Sequence, residues 1–420
     1  MAAIFTEFRF RSHAYNILEN FFEPYLFCGE LVDPGVEVVS FYADQFPPGD
    51  MTREVSRRFD VPLFESIGEA LCLGGKELAV DAVLSIGEHG DYPYNDLGQK
   101  QYPRKRFFDD ALAVMQQSRR FIPFFNDKHL SYRWDEAQAM YDASRRHDFP
   151  LMAGSSVPLA QRLPPFEWPA EAEIEEAVSI HGGGIESYDF HGLEVLQSIV
   201  EARKGGETGI ARVELLTGET FEQARKSGRW SAGLVEAAMQ AEQAMNVRRQ
   251  RRPQVRPPSP EPKHAPPKFP GGPHAIVVTY KDGLKATVLK MESSADRWNF
   301  ACRIKGETQP RATAFFNSPW GNRGLFKALS HAIQHLFIHR DEPYPVERTL
   351  LTTGALDAAM HSLAKDGEPI DTPHLEFAYQ PKDFRRFRET GASWKIVTAD
   401  DPQPAGFEPG DRRWVERRPD

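Results

Sequence analysis

"RFIPFFNDKHLSYRWDEAQAMYDASRRHDFPLMAGSS", residues 120–156, holds three units of structure in a row. "RFIPFFND" is a short apolar run with the length and composition of a buried strand. "YRWDEAQAMYDASRRHD" carries the apolar spacing of a helix, and "FPLMAGSS" is a second strand. A strand, a helix and another strand in this order predict a parallel pair with its crossover packed on one face. Asp127, Lys128 and His129 stand between the first strand and the helix. Such turns are usually built from small residues, so three ionisable side chains here mark an edge with a task.

The alternation continues on the N-terminal side. "AAIFTEFRF", "VEVVSFYAD" and "LAVDAVLSIGEHGD" read as strands, and "SHAYNILENFFEPY", "DMTREVSRRFD", "ESIGEALCL" and "RKRFFDDALAVMQQS" as helices. Near-continuous apolar strands separated by helices predict a doubly wound parallel sheet covered on both faces. Ligands of such sheets bind outside the carboxyl ends of the strands. That edge collects Glu7, Arg9, Arg11, Asp44, Glu88, His89, Asp91, Asn126, Asp127, Lys128 and His129.

From about residue 171 the pattern becomes α+β. "EIEEAVSIHGG", "GIARVELLTGETF", "NFACRIKG" and "RATAFF" are strands, and "HAIVVTYKDGLKATVLKM" is a hairpin turning at Lys281-Asp282-Gly283. "DFHGLEVLQSIVEARKGGE", "GLFKALSHAIQHLFIH" and "VERTLLTTGALDAAMHSLAKDG" are helices; "SAGLVEAAMQAEQAMNVRRQRR" reads as a solvent-exposed one. "PQVRPPSPEPKHAPPKFPGG" is too rich in proline for either element and predicts an extended linker. The expected organisation is a Rossmann-like doubly wound domain at 1–160, then an α+β domain with an open, mostly antiparallel sheet at 161–380. A proline-rich insertion falls at 250–272, and a peripheral tail at 381–420.

Composition narrows the class. The chain has 420 residues, 40% of them hydrophobic and 26% charged, the balance of an ordinary globular protein. A net charge of −9 leaves no cationic excess for nucleic acid. Cys28, Cys72 and Cys302 are too far apart for a zinc knuckle or a disulfide framework. The chain opens as a strand without a leader-like apolar segment, and no run is long enough to span a bilayer, so a cytoplasmic protein is expected.

The order of elements and several motifs resemble the glucose–fructose oxidoreductase and inositol dehydrogenase type of oxidoreductase (Gfo/Idh/MocA), over about 1–245 and 273–380. "NDKHLSYRWDEAQAMYDASRRHDFPLMAGSS" is similar to the family's Glu-Lys-Pro strand end and the helix after it, with Lys128 on the family's lysine and His129 replacing the proline. "VDAVLSIGEHGDYP" resembles the turn beneath the nicotinamide, which puts Glu88 and His89 there. "VEVVSFYAD" resembles the strand whose terminal acid binds the adenosine ribose, which puts Asp44 in that role. "GGIESYDFHGLEVL" resembles the catalytic helix, with His191 and Glu194 on the histidine and the acid three residues later. Ser187 stands where the family has an acid, flanked by Glu186 and Asp189. "TEFRFRSHA" replaces the family's Gly-x-Gly-x-x-Gly and contains no glycine. The resemblance therefore implies NAD or NADP, bound weakly, with Arg9, Arg11 and Ser12 supplying phosphate contacts in place of backbone N–H groups. It also implies a homo-oligomer paired through the open sheet.

The residue chemistry agrees with that reading. Lys128 can hydrogen-bond a substrate hydroxyl, His191 can take its proton near neutral pH, and Glu194 one turn on can orient the imidazole. The histidines at 13, 89, 129 and 181 lack the tight spacing of a metal site, and no metal is expected. The "HGGG" at 181–184 has no Gly-x-Ser-x-Gly partner, which argues against a hydrolase. The expected activity is oxidation or reduction of a sugar, polyol or related hydroxy compound. The alternative is the same fold without dinucleotide, binding carbohydrate or catalysing a lyase or isomerase step.

Overall fold

The computed structural model describes residues 1–167, 172–245, 263–291 and 298–416. The first sheet has six parallel strands in the order Leu63–Phe64, Ser40–Ala43, Ala2–Phe5, Val83–Ile86, Phe124–Asp127 and Leu151–Gly154. Numbered along the chain within this sheet, the order is 3-2-1-4-5-6, the Rossmann arrangement, whose switch point lies between the first and fourth strands. Four strands are buried at every position because helices cover both faces. Ser12 caps the helix His13–Phe22 by accepting the Tyr15 N–H at 3.3 Å. A small hairpin, Tyr25–Phe27 with Glu30–Val32, follows that helix.

The second sheet has eight strands in the order Ile370–Asp371, Ile210–Thr217, His274–Tyr280, Lys285–Lys290, Ile174–His181, Trp298–Ile304, Arg311–Phe316 and Gln161–Leu163. All neighbours are antiparallel except Ile174–His181 with Lys285–Lys290. One face packs on the helices Asp189–Val200 and Val346–Leu363 in a large apolar core.

Two expectations need correction. The second sheet is open and mostly antiparallel, as expected, but helices Gly218–Lys226 and Ala232–Ala244 cover part of its other face through Phe221, Leu234 and Ala238, packed on Val178, Ile180 and Val277. The helix expected to stand in solvent is thus part of a core, and pairing through that face would meet helices rather than strands. Nor is the C-terminal tail peripheral. Phe384, Phe387 and Phe407 join the core of the first sheet, and Trp414 packs on Leu26 and Trp320. Burying large aromatic side chains outweighs the tail's charge and proline content. Residues 250–262 of the proline-rich insertion lie outside the described residues. Residues 263–272 form no helix or strand, and the Lys263 and His264 N–H groups donate to the Asp91 carboxylate at 2.9 and 3.3 Å.

The two layers interlock late in the chain. Helix Asn322–His339 packs on His13–Phe22, joined by the buried Arg323–Glu19 pair at 2.9 Å. Helix Val346–Leu363 bridges to Asp189–Val200 through Arg348 and Glu201, both buried. No helix among the described residues is long and apolar enough to cross a membrane.

Candidate active site

The turn after strand Phe124–Asp127 is strained. Lys128 has φ 66°, in the left-handed region that a lysine seldom occupies. Its carbonyl accepts the Gly154 N–H at 3.0 Å, which ties the turn to the end of the next strand. Gly154, at φ 133°, has no room for a side chain: a Cβ there would lie 2.7 Å from Glu194 Oε2 and 2.8 Å from Thr349 Oγ1. The strain is held by this packing and it aims the buried Lys128 ammonium at Glu88, 3.3 Å away, and at the Ser187 carbonyl, 3.4 Å away.

Arg104 organises the floor beneath Lys128, and the sequence reading missed it. It is the first residue of helix Arg104–Gln117 and is fully buried. Nη2 donates to Glu88 at 2.7 Å and Nη1 to His129 Nε2 at 3.0 Å. Its spacing to Phe107, Phe108 and Ala111, three, four and seven residues on, puts it on the helix's apolar stripe. That arginine among core positions was the legible sign. Burial opposes charge on Glu88, yet Lys128 and then Arg104 hold its carboxyl well below the usual range. Burial, with Arg104 beside it, drives His129 well below the ordinary imidazole value, so it is a neutral acceptor. Glu186 lies 3.7 Å from His129, and burial pushes its carboxyl up to about 7 despite Arg104 and Lys128.

His191 opens onto the same space from helix Asp189–Val200. Its Nδ1 is 2.6 Å from Ser155 Oγ, which also accepts the Val157 N–H at 3.0 Å. Burial, then Lys128 and His13, keeps the imidazole well below its ordinary pKa and therefore neutral. Glu194 does not touch His191. It is fully buried, accepts the Ser155 N–H at 3.2 Å and the Thr352 hydroxyl at 2.6 Å, and so fixes the serine that fixes the histidine. The direct orienting contact expected from helical spacing is replaced by this indirect one, because Glu194 faces the helix Val346–Leu363 rather than the cavity.

A cavity of about 660 Å³ joins these groups. Lys128, His191, Glu88, His89, His13 and Arg11 line it, and Tyr188 and Trp298 form an aromatic wall with ring centroids 5.5 Å apart. His13 is anchored by Asp127 at 2.6 Å. His89 sits at φ 71°, and burial pushes its imidazole down to about 3.

The neighbouring half of the sheet edge is different. Phe8, just beyond strand Ala2–Phe5, is fully buried, and its ring packs edge-on against Phe5, Tyr15 and Phe407. Ser12 accepts both the Arg9 and Tyr15 N–H groups, and Arg9 pairs with Glu7. Arg11 lines the cavity but donates to Gln403 and to the Pro404 carbonyl. Asp44 is taken by its own chain: Tyr42 donates to Oδ1 at 2.7 Å, Tyr92 to Oδ2 at 2.6 Å, and Arg106 pairs with it as well. The half that carries Lys128 and His191 leaves both side chains facing the cavity. The ribose and pyrophosphate end does not fit a dinucleotide bound in the usual way.

A second polar cluster lies behind the site. Asp189 Oδ1 is 2.9 Å from His181 Nε2 and 2.8 Å from His274 Nε2, all three buried. The Gly183 N–H points at His181 Nδ1, 3.3 Å away. That contact favours the tautomer with the imidazole proton on Nε2, facing the carboxylate, and the three side chains bring together the atoms a metal ion could use.

The sequence matches no protein-family model and no curated protein. The fold does match solved structures. GenD2 from gentamicin A biosynthesis, solved with NAD, superposes with a TM-score of 0.54 at 10% identity over 88% of this chain and 96% of that one. Scyllo-inositol dehydrogenase from Lactobacillus casei gives 0.51 at 9% identity, over 88% of this chain and 97% of that one. An oxidoreductase from Agrobacterium radiobacter, in complex with NAD+, L-tartaric acid and magnesium, gives 0.52 at 12% identity with the same coverage, 88% and 97%. At such identities the likeness is one of fold.

Proposed function

We propose that this protein is an oxidoreductase-like enzyme acting on a hydroxyl of a sugar, polyol or related hydroxy compound, with NAD or NADP as its redox partner. The observation that carries the reading is the meeting of Lys128 and His191 on one cavity, with His191 fixed by Ser155 and Lys128 by Glu88. In this reading the Lys128 ammonium donates a hydrogen bond to the substrate hydroxyl and favours its ionised form. The neutral His191 takes the proton at Nε2, while Nδ1 hydrogen-bonds Ser155. The buried Glu88 keeps Lys128 placed, and Lys128 and then Arg104 keep Glu88 ionised. Tyr188 and Trp298 offer an apolar wall to the C–H face of a sugar or polyol ring. A nicotinamide, when bound, would supply hydride acceptance. The closed ribose and pyrophosphate half implies that its affinity is weak and depends little on Asp44.

The test is a calorimetric titration of NAD(H) and NADP(H), followed by a panel of polyols and sugar acids assayed for nicotinamide reduction. Saturable, weak binding is expected, with turnover lost in Lys128→Met and His191→Asn by about 100-fold or more. Failure of both cofactors to bind at millimolar concentration overturns the redox reading and leaves proton chemistry without hydride transfer.

A further inference from the structure

A second cavity, of about 340 Å³, opens at the far end of the helix that carries His191, between the edge strand Gln161–Leu163 and the tail at 381–388. Its walls bring together Arg162, Arg388, Lys382, Glu201, Ser198 and Phe384. Four guanidiniums crowd this corner, because Arg385 also lines it and Arg348 lies over Phe384 at 4.4 Å and pairs with Glu201. None of the nearby carboxylates pairs with Arg162: Glu201 pairs with Arg348, Glu167 with Arg388, Asp383 with Arg385 and Asp341 with Lys382.

Arg162 is left over. Its one side-chain hydrogen bond goes to the Phe166 carbonyl at 3.1 Å, and no described carboxylate pairs with it. Its Nε and that of Arg388 are both buried without a partner. The end of helix Asp189–Val200 contributes only partial negative charge, and none of its carbonyls accepts from Arg162. Burial and the neighbouring Arg388 push Arg162 down to about 9, so the side chain is still cationic at neutral pH. A half-buried guanidinium whose Nε is shut from water without a partner or counter-charge is costly to keep. Arg162, with which no described carboxylate pairs, and Arg388, whose Nε is free although its Nη2 pairs with Glu167, together have the geometry that recognises an oxyanion.

We propose that this cavity is a second binding site, for a small molecule whose carboxylate or phosphate bridges Arg162 and Arg388. It is separate from the Lys128–His191 cavity and does not depend on the redox reading. The experiment is a thermal-melt and calorimetric titration of the full chain in dilute buffer, with inorganic phosphate and with citrate, against sodium chloride at matched ionic strength. Wild type is expected to show a saturable rise in melting temperature with at least one of the two anions, and the pair distinguishes phosphate from carboxylate ligands. Arg162→Gln is expected to bind that anion at least tenfold more weakly and, without anion, to melt no lower than wild type, since it removes an unpaired charge. No saturable response in wild type, a response equal to that of chloride (an adventitious ion only), or an equal response in Arg162→Gln overturns the proposal. So does an Arg162→Gln protein that fails to fold, because Arg162 would then be a structural residue.

Discussion

Two halves of one sheet edge, formed by neighbouring strands, have opposite fates. At the ends of strands Ala2–Phe5 and Ser40–Ala43, polar groups turn on one another: Asp44 on Tyr42, Tyr92 and Arg106, Arg9 on Glu7, and Ser12 on its own helix. Phe8 seals the space between them. At the end of strand Phe124–Asp127, Lys128 and His191 are also held by the chain, yet both face a cavity. An ionisable residue at a switch point can thus serve a ligand only when it still faces open space after its own fold has claimed its hydrogen bonds.

The largest expected effect breaks the open half from below. Arg104→Met leaves Glu88 and His129 buried without their shared partner. Removing one member of a buried ionic network costs about 3–5 kcal/mol. Urea unfolding at neutral pH should show this loss, and a change below about 1 kcal/mol would mean that Lys128 alone neutralises Glu88.

Next comes a pH signature. Glu186 has an ordinary value of 4.5 and is pushed up to about 7 in the folded chain by burial. The native state therefore binds this proton more tightly than the unfolded state. The group's contribution is fully present below about 4.5 and is lost as pH rises through about 7. The span corresponds to about 3 kcal/mol at most. Glu186→Gln should flatten the fall in melting temperature over that window. An unchanged pH profile would show that Glu186 is ionised and paired.

How far the sequence carried the reading follows from which interactions are local. The parallel strands and their helices were legible because apolar spacing depends on near neighbours, and Lys128 and His191 could be placed from motifs a few residues long. Glu194 was expected to orient His191 directly, but Thr349 and Thr352, more than 150 positions away, turn it from the cavity. Arg104 was passed over because an arginine at a helix start reads as a surface residue. The tail was read from its charge, yet a few aromatic residues decide where it packs. The cover on the second sheet was missed for a related reason: helix Ala232–Ala244 has a weak apolar stripe built largely on alanine, and only the facing strands show that it suffices.

A smaller effect tests the closed half. Asp44→Asn should cost about 1–2 kcal/mol through its two tyrosine hydrogen bonds, with little added for the half-exposed Arg106. Burial opposes the charge on Asp44, but the Tyr92 and Tyr42 hydroxyls and Arg106 lower its pKa below the ordinary 3.8. A lowered folded value gives stability that is present above about 3.8 and disappears as pH falls through the folded value. Wild type and Asp44→Asn should therefore converge in strongly acidic buffer. Dinucleotide affinity in calorimetry should change less than threefold, and a tenfold loss would show that Asp44 is available to a ligand after all.

The smallest effect on stability belongs to the open half's outer wall. Tyr188 is 38% exposed, so its truncation removes little buried surface, although its ring stacks on Trp298 at 21° between planes. Gly183 lies beneath it, where a Cβ would come within 1.9 Å of the tyrosine ring. The glycine therefore lets the aromatic ring lie flat against the turn before helix Asp189–Val200. A flat, exposed ring beside an ionic floor has little to add to folding and much to offer a bound ring. Tyr188→Ala should change unfolding free energy by about 1 kcal/mol or less. It should raise KM for the active polyol or sugar more than it lowers kcat, because stacking helps ground state and transition state alike. Gly183→Ala should do the reverse: it forces the ring off the turn and disturbs the helix start that carries His191, so kcat should fall more than KM rises. If Tyr188→Ala proves as destabilising as Arg104→Met, the aromatic wall belongs to the fold, and the contrast between the two halves of the edge fails at its most exposed point.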